Sequence, residues 1–205
     1  MRRRFLLLMG LAVGFSGAAT LPAQAEDISG EAQGFVQQLG DRAIQTISEK
    51  DLSEGGRKDR FRSMFLDAFD VPAIGQFVLG RYWRTATDTQ KSEFLKLFQN
   101  MVVQTYASRF SEYSGETFKV ASARSLGDDQ ALVTANVIRP QSPGQPIKVE
   151  WRVLKTGGKL KIVDVIVEGV SMSTTQQQEF ASVIQRSGNG VDGLLATLRE
   201  RFGTG

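Results

Sequence analysis

Between Ile147 and Val153 the chain alternates strictly: Ile147, Val149, Trp151 and Val153 are apolar, and Lys148, Glu150 and Arg152 between them are charged. A period of two places the apolar set on one face of a β-strand and the charged set on the other. A sheet with one apolar face must bury it against a second layer. The neighbouring sequence supplies the rest of that sheet. Thr117 to Leu126 reads as a first strand, turned at Gly127-Asp128-Asp129, and Ala131 to Arg139 as a second, followed by a Ser142-Pro143-Gly144 loop. Thr156-Gly157-Gly158-Lys159 is a hairpin turn. Leu160 to Val167 is a fourth strand, apolar on both sides apart from Lys161 and Asp164, which predicts a central position.

The covering layer precedes and follows the strands. Phe35, Val36, Leu39, Ala43, Ile44 and Ile47 recur at the three- and four-residue spacing of an amphipathic helix. Gly55-Gly56 separates it from a second stretch with Phe61, Met64, Phe65, Ala68 and Phe69. Asp70 and Pro72 cap and open a third, short helix with Ile74, Phe77, Val78 and Tyr82. Thr87 and Gln90 form a capping box, after which Phe94, Leu95, Phe98, Met101, Val102, Tyr106 and Phe110 line one side of a long helix. Two more helices, Ser173 to Arg186 and Val191 to Phe202, close the chain. The expected class is α+β: helices packed on a four-stranded antiparallel meander, with a hollow between the layers.

The first 25 residues read differently. Arg2-Arg3-Arg4, the apolar run from Phe5 to Val13 and the small-x-small site Ala23-Gln24-Ala25 have the three zones of a cleavable export signal. Gly14, Ser16 and Gly17 interrupt the apolar stretch, which is short for a retained membrane anchor. Arg2-Arg3-Arg4-Phe5-Leu6 also fits the core of a twin-arginine signal, beside the general secretory route. These three arginines account for the whole excess of 25 Lys+Arg over 22 Asp+Glu. A domain spanning 26–205 is therefore electrically balanced, without the cationic surplus of a nucleic-acid binder.

The chain has neither cysteine nor histidine. Cys-His and Ser-His-Asp nucleophilic sites are excluded, as are zinc sites built on those ligands, and no cofactor or metal is expected. Gly188-Asn189-Gly190-Val191-Asp192-Gly193 matches G-x-G-x-x-G, but a helix precedes it and no βαβ unit follows. Gly188 reads as a helix cap. Asp164 lies among Val163, Val165 and Ile166, where a carboxylate either acts as a base, pairs with an Arg or backbone donors, or faces solvent.

Leu79-Gly80-Arg81-Tyr82-Trp83-Arg84, Gln90-Lys91-Ser92-Glu93-Phe94 with Phe98, and Thr105-Tyr106-Ala107 resemble the MlaC (toluene-tolerance, Ttg2-type) family of periplasmic phospholipid-binding proteins. The likeness continues at Val163-Asp164-Val165, Glu168-Gly169-Val170-Ser171 and Glu179-Phe180-Ala181-Ser182-Val183-Ile184. It ends at Gly190-Val191-Asp192-Gly193-Leu194-Leu195 and Leu198. Gln176-Gln177 departs from the Tyr-Arg that many members carry before the fifth-helix Glu-Phe. The resemblance implies an NTF2-like fold, a periplasmic location and a monomeric, non-enzymatic carrier. It would ferry phospholipid between an outer-membrane lipoprotein complex and an inner-membrane ABC transporter. A related branch, HpnM, implies a hopanoid instead.

The expected cavity lining is Phe65, Phe69, Ile74, Val78, Phe98, Val102 and Tyr106 from the helices, with Val133, Val137, Trp151 and Val153 from the strands. Arg81 and Arg84 are candidates for the mouth, where a guanidinium would fork onto phosphate; ordinary helix-end charge is the alternative. Two other readings stay open. One is an isomerase or dehydratase on the same fold, using Asp164 with Tyr82 or Tyr106. The other is a structural adaptor with a filled core.

Overall fold

The computed structural model describes residues 27–49, 53–107 and 113–203. The expected export signal and Phe110 lie outside the described residues. Helices α1 (Ser29–Ser48), α2 (Glu54–Ala68) and α3 (Val71–Leu79) lead into a short 3-10 helix (Gly80–Arg84) and α4 (Asp88–Ala107). Strands β1 (Thr117–Ser125), β2 (Gln130–Ile138), β3 (Ile147–Thr156), β4 (Lys159–Val167) and β5 (Val170–Ser171) follow, then α5 (Met172–Ser187) and α6 (Gly190–Phe202). The class is α+β, as the sequence predicts, with the strands in an antiparallel meander of order β1-β2-β3-β4-β5.

Local chemistry sets the element boundaries. The Thr87 amide donates to Gln90 Oε1 at 2.9 Å and the Gln90 amide to Thr87 Oγ1 at 3.2 Å, closing the capping box ahead of α4. Gln90 Nε2 also reaches Asp192 Oδ1 at 2.7 Å, tying that box to the first turn of α6. Asp70 accepts the Ala73 amide at 3.0 Å with Pro72 in the first turn of α3. Gly188, at φ 69°, ends α5 in the left-handed conformation expected of a cap.

Three expectations need correction. Gly55-Gly56 does not separate two helices but lies in the first turn of α2, because Ser53 caps it by accepting the Gly56 amide at 3.1 Å. Among the described residues the sheet has five strands, the fifth being two residues long. Strand β4 is not central. Beyond it lies only β5 at one end, while the chain at Phe69-Asp70 covers the other through the Asp70 amide on the Ile162 carbonyl at 2.9 Å. Its two-sided apolarity has another cause. Arg152 pairs with Asp164 and Val153 with Ile162, so Val163 is an extra, bulged residue that breaks the alternation.

The buried residues divide into two clusters. Helices α3 to α6 enclose Val78, Leu79, Phe94, Phe98, Phe180, Leu194 and their neighbours, with the Phe180 ring edge-on to both Phe94 and Phe98. The second cluster is made where α1 lies over the sheet, from Ala32, Val36 and Leu39 against Ala131, Val133, Val153 and Ile162. Close approach there depends on Gly40: a Cβ at that position would run into the Phe118 ring.

Candidate functional site

The two clusters do not merge. Between them is an apolar cavity of about 410 Å³. Phe65, Ile74, Val78 and Phe98 face it from α2 to α4; Leu39 of α1, Phe69 at the end of α2, and Trp151, Val165 and Val167 of the strands face it from the other side. One wall is aromatic. Phe61, Phe65 and Phe69, spaced four residues apart, bring successive ring centroids to 6.3 Å and 4.9 Å, and Phe69 meets Trp151 at 6.4 Å. Tyr106, at the end of α4, both lines the cavity and is 41% exposed, so the hollow reaches the surface beside it.

Of the residues the sequence suggests for this lining, Phe65, Phe69, Ile74, Val78, Phe98, Val102, Tyr106 and Trp151 come together on the cavity wall. Val133, Val137 and Val153 do not. Helix α1 lies across the first two strands and fills the space above them, leaving Val133 and Val153 wholly buried in the α1–sheet cluster. Beyond Trp151 of β3, the strand contribution comes from β4, through Asp164, Val165 and Val167. Arg81 and Arg84 are candidates for the mouth and not for the lining. Both are exposed on the 3-10 helix, where Arg81 Nη2 donates to the Tyr82 hydroxyl at 2.9 Å. That hydrogen bond, followed by one from Gln185, holds the Tyr82 phenol below the usual tyrosine range.

Sequence reasoning missed Leu39 and Ala43 on α1, Met64 and Met101, and the polar end of the cavity formed by Asp164, Ser173 and Gln176 beside Met172. The periodic stripes contained the first four; nothing local marked them as facing a void. Asp164 is buried. Its carboxylate accepts the Ser171 hydroxyl at 2.7 Å and the Ser173 amide at 3.1 Å. Both oxygens therefore hold the start of α5 against β4, with one backbone donor, as one alternative expected, and one hydroxyl donor that none of them named. Tyr106 shares the cavity with Asp164; Tyr82 does not. Gln176 lines the wall, and Gln177 Nε2 donates to the Phe77 carbonyl at 2.6 Å, tying α5 to the last turn of α3. Trp151 Nε1 is buried without a hydrogen-bond partner among the described residues. An orphan donor of this kind costs about 1–3 kcal/mol until an acceptor arrives.

The fold and the void define a class: a helix-over-sheet α+β domain with an apolar cavity at the junction of its two cores. A family model described as MlaC protein matches residues 37–200, and the chain belongs to that family. It is 25% identical over 142 residues to the intermembrane phospholipid transport system binding protein MlaC of Haemophilus influenzae, covering 68% of this chain and 65% of that one. It is 28% identical over 124 residues to toluene tolerance protein ttg2D of Pseudomonas putida, covering 60% and 57% respectively. The chain thus spans somewhat under two thirds of the length of these curated relatives. Among solved structures, the phospholipid-binding protein of Ralstonia solanacearum in complex with a phospholipid matches with a TM-score of 0.73 at 26% identity. That match covers 84% of this chain and 97% of that one.

Proposed function

We propose that this domain is a periplasmic lipid carrier, taking the acyl chains of a phospholipid into the cavity between its two cores. The observation that carries the reading is the void itself: apolar and aromatic walls drawn from α1 to α4, β3 and β4 enclose space that a folded core would otherwise fill. The relatives' names and the phospholipid complex of the structural neighbour support it.

The energetics fit a shuttle. Two acyl chains hold about 30 methylenes, and exposing them to water costs on the order of 20 kcal/mol at ~0.8 kcal/mol each. A lipid crossing an aqueous compartment therefore needs an enclosing protein, and its release requires a docked acceptor. In this reading the donor and acceptor are an outer-membrane lipoprotein complex and an inner-membrane ABC transporter. In the same reading residues 1–25 are an export signal that would deliver the carrier to the space between them, and the balanced charge of 26–205 would keep it from adhering to anionic membranes.

In this reading the domain binds and hands over lipid without transforming it; Asp164, the one carboxylate among the described lining residues, holds the start of α5. Native mass spectrometry of protein purified from a Gram-negative envelope tests the proposal. A co-purifying phospholipid is the expected result; protein that stays lipid-free after incubation with phospholipid vesicles contradicts it.

A further inference from the structure

The chain has no cysteine and five methionines. Met1 and Met9 precede the described residues. The other three, Met64 on α2, Met101 on α4 and Met172 at the start of α5, all line the same apolar cavity. They come from three separate elements, and each is partly rather than fully buried. Methionine used only to fill gaps would sit in the packed interior, but none of the three is among the buried core residues. Every sulfur-bearing residue beyond residue 26 therefore lines one void.

We infer that these three thioethers form a convergent oxidation site, through which a peroxide or hypohalous acid disables lipid retention. The inference rests on the cavity being the lipid site. With hypochlorous acid, the thioether sulfur loses two electrons and keeps the oxygen; chlorine leaves as chloride and the proton passes to water. With hydrogen peroxide, the O–O bond breaks, one oxygen stays on sulfur and water leaves. With no thiol in the chain to react first, the methionines are its most oxidisable sulfurs. A thioether is an apolar, adaptable surface for methylenes, whereas a sulfoxide is a strong acceptor that loses its hydration when a lipid chain lies on it. A bound lipid covers all three sulfurs, so the empty carrier is the vulnerable form.

The test uses the purified chain, lipid-free or preloaded from phosphatidylglycerol vesicles, treated with hypochlorous acid and mapped by peptide mass spectrometry. The expected result is single-oxygen adducts on Met64, Met101 and Met172 in the lipid-free protein and few in the loaded one. Lipid uptake should fall by about tenfold or more, with unchanged circular dichroism. Methionine sulfoxide reductases should restore uptake. A triple variant, Met64→Leu, Met101→Leu and Met172→Leu, should keep its own starting uptake through the same treatment, whatever that level is. Undiminished uptake after full oxidation of the three sulfurs would overturn the inference, as would a loss that the reductases do not reverse and the triple variant shares. Failure of the untreated protein to take up any lipid would instead refute the lipid reading itself, and the inference with it.

Discussion

The Ser171 hydroxyl donates to Asp164 at 2.7 Å, and the same oxygen accepts the Thr174 amide at 3.0 Å. One side chain thus caps α5 and fastens that cap to β4. The consequence reaches the cavity, because Met172, Ser173 and Gln176 project from this first stretch of α5 onto its wall. Removing the pair should loosen the wall before it changes any chemistry.

Ser171→Ala should lower stability by about 1–2 kcal/mol, the usual cost of a lost helix cap. Asp164→Ala should cost more, about 2–3 kcal/mol, because it also leaves the buried Ser173 amide without an acceptor. Urea unfolding measures both. Equal stability of the Asp164→Ala variant and the parent would show that the carboxylate is not structural.

Gly40→Ala should destabilise the fold by about 1–3 kcal/mol by overpacking, since the added methyl meets Phe118 where α1 rests on the sheet. Gly30→Ala is the control on the same helix. A Cβ there has open space, so that variant should lose no stability. The difference in urea midpoint between the two variants is the quantity to read.

Ala43→Phe should fill the cavity from α1 without disturbing either core, since Ala43 lines the void and belongs to neither buried cluster. Phospholipid uptake from vesicles should drop by about tenfold or more, each excluded methylene being worth ~0.8 kcal/mol, while the thermal midpoint holds or rises. A variant that binds lipid like the parent would place the acyl chains elsewhere.

Tyr82 gives a pH signature. Arg81 stabilises its phenolate by a hydrogen bond, so its folded pKa lies below the unfolded value near 10. The folded state therefore releases this proton first. The resulting stabilisation is present above the unfolded pKa, is lost as pH falls through the folded pKa, and is absent at neutral pH. Ultraviolet titration should show an early-ionising tyrosine that Arg81→Gln removes.

Sequence periodicity revealed the layers because each element carries its own signal: alternation along β3, the capping box before α4, the glycine after α5. Phe65 and Phe69 of the aromatic wall were legible for the same reason, but Phe61, one turn earlier in the same stripe, was not among the residues expected to line the cavity. The strand lining was not, because alternation says which residues share a face and not what covers it. Val133, Val137 and Val153 lie on the inward face of the sheet with Trp151, yet only Trp151 borders the void, because α1 occupies the space over β1 and β2. A bulge at Val163 was equally invisible, and with it the placing of Asp164 and Val165 at the wall. Such features arise from pairing register, which no single segment encodes.

Trp151 offers the most direct test that acyl chains occupy this cavity. Trp83 is the only other tryptophan, so a Trp83→Phe variant reports Trp151 alone. Phospholipid brominated along its acyl chains should quench that emission in proportion to the lipid bound, whereas lipid brominated on a head-group analogue should quench it weakly. Lipid that binds with no quenching from either position would contradict the account, since Trp151 stands in the cavity wall.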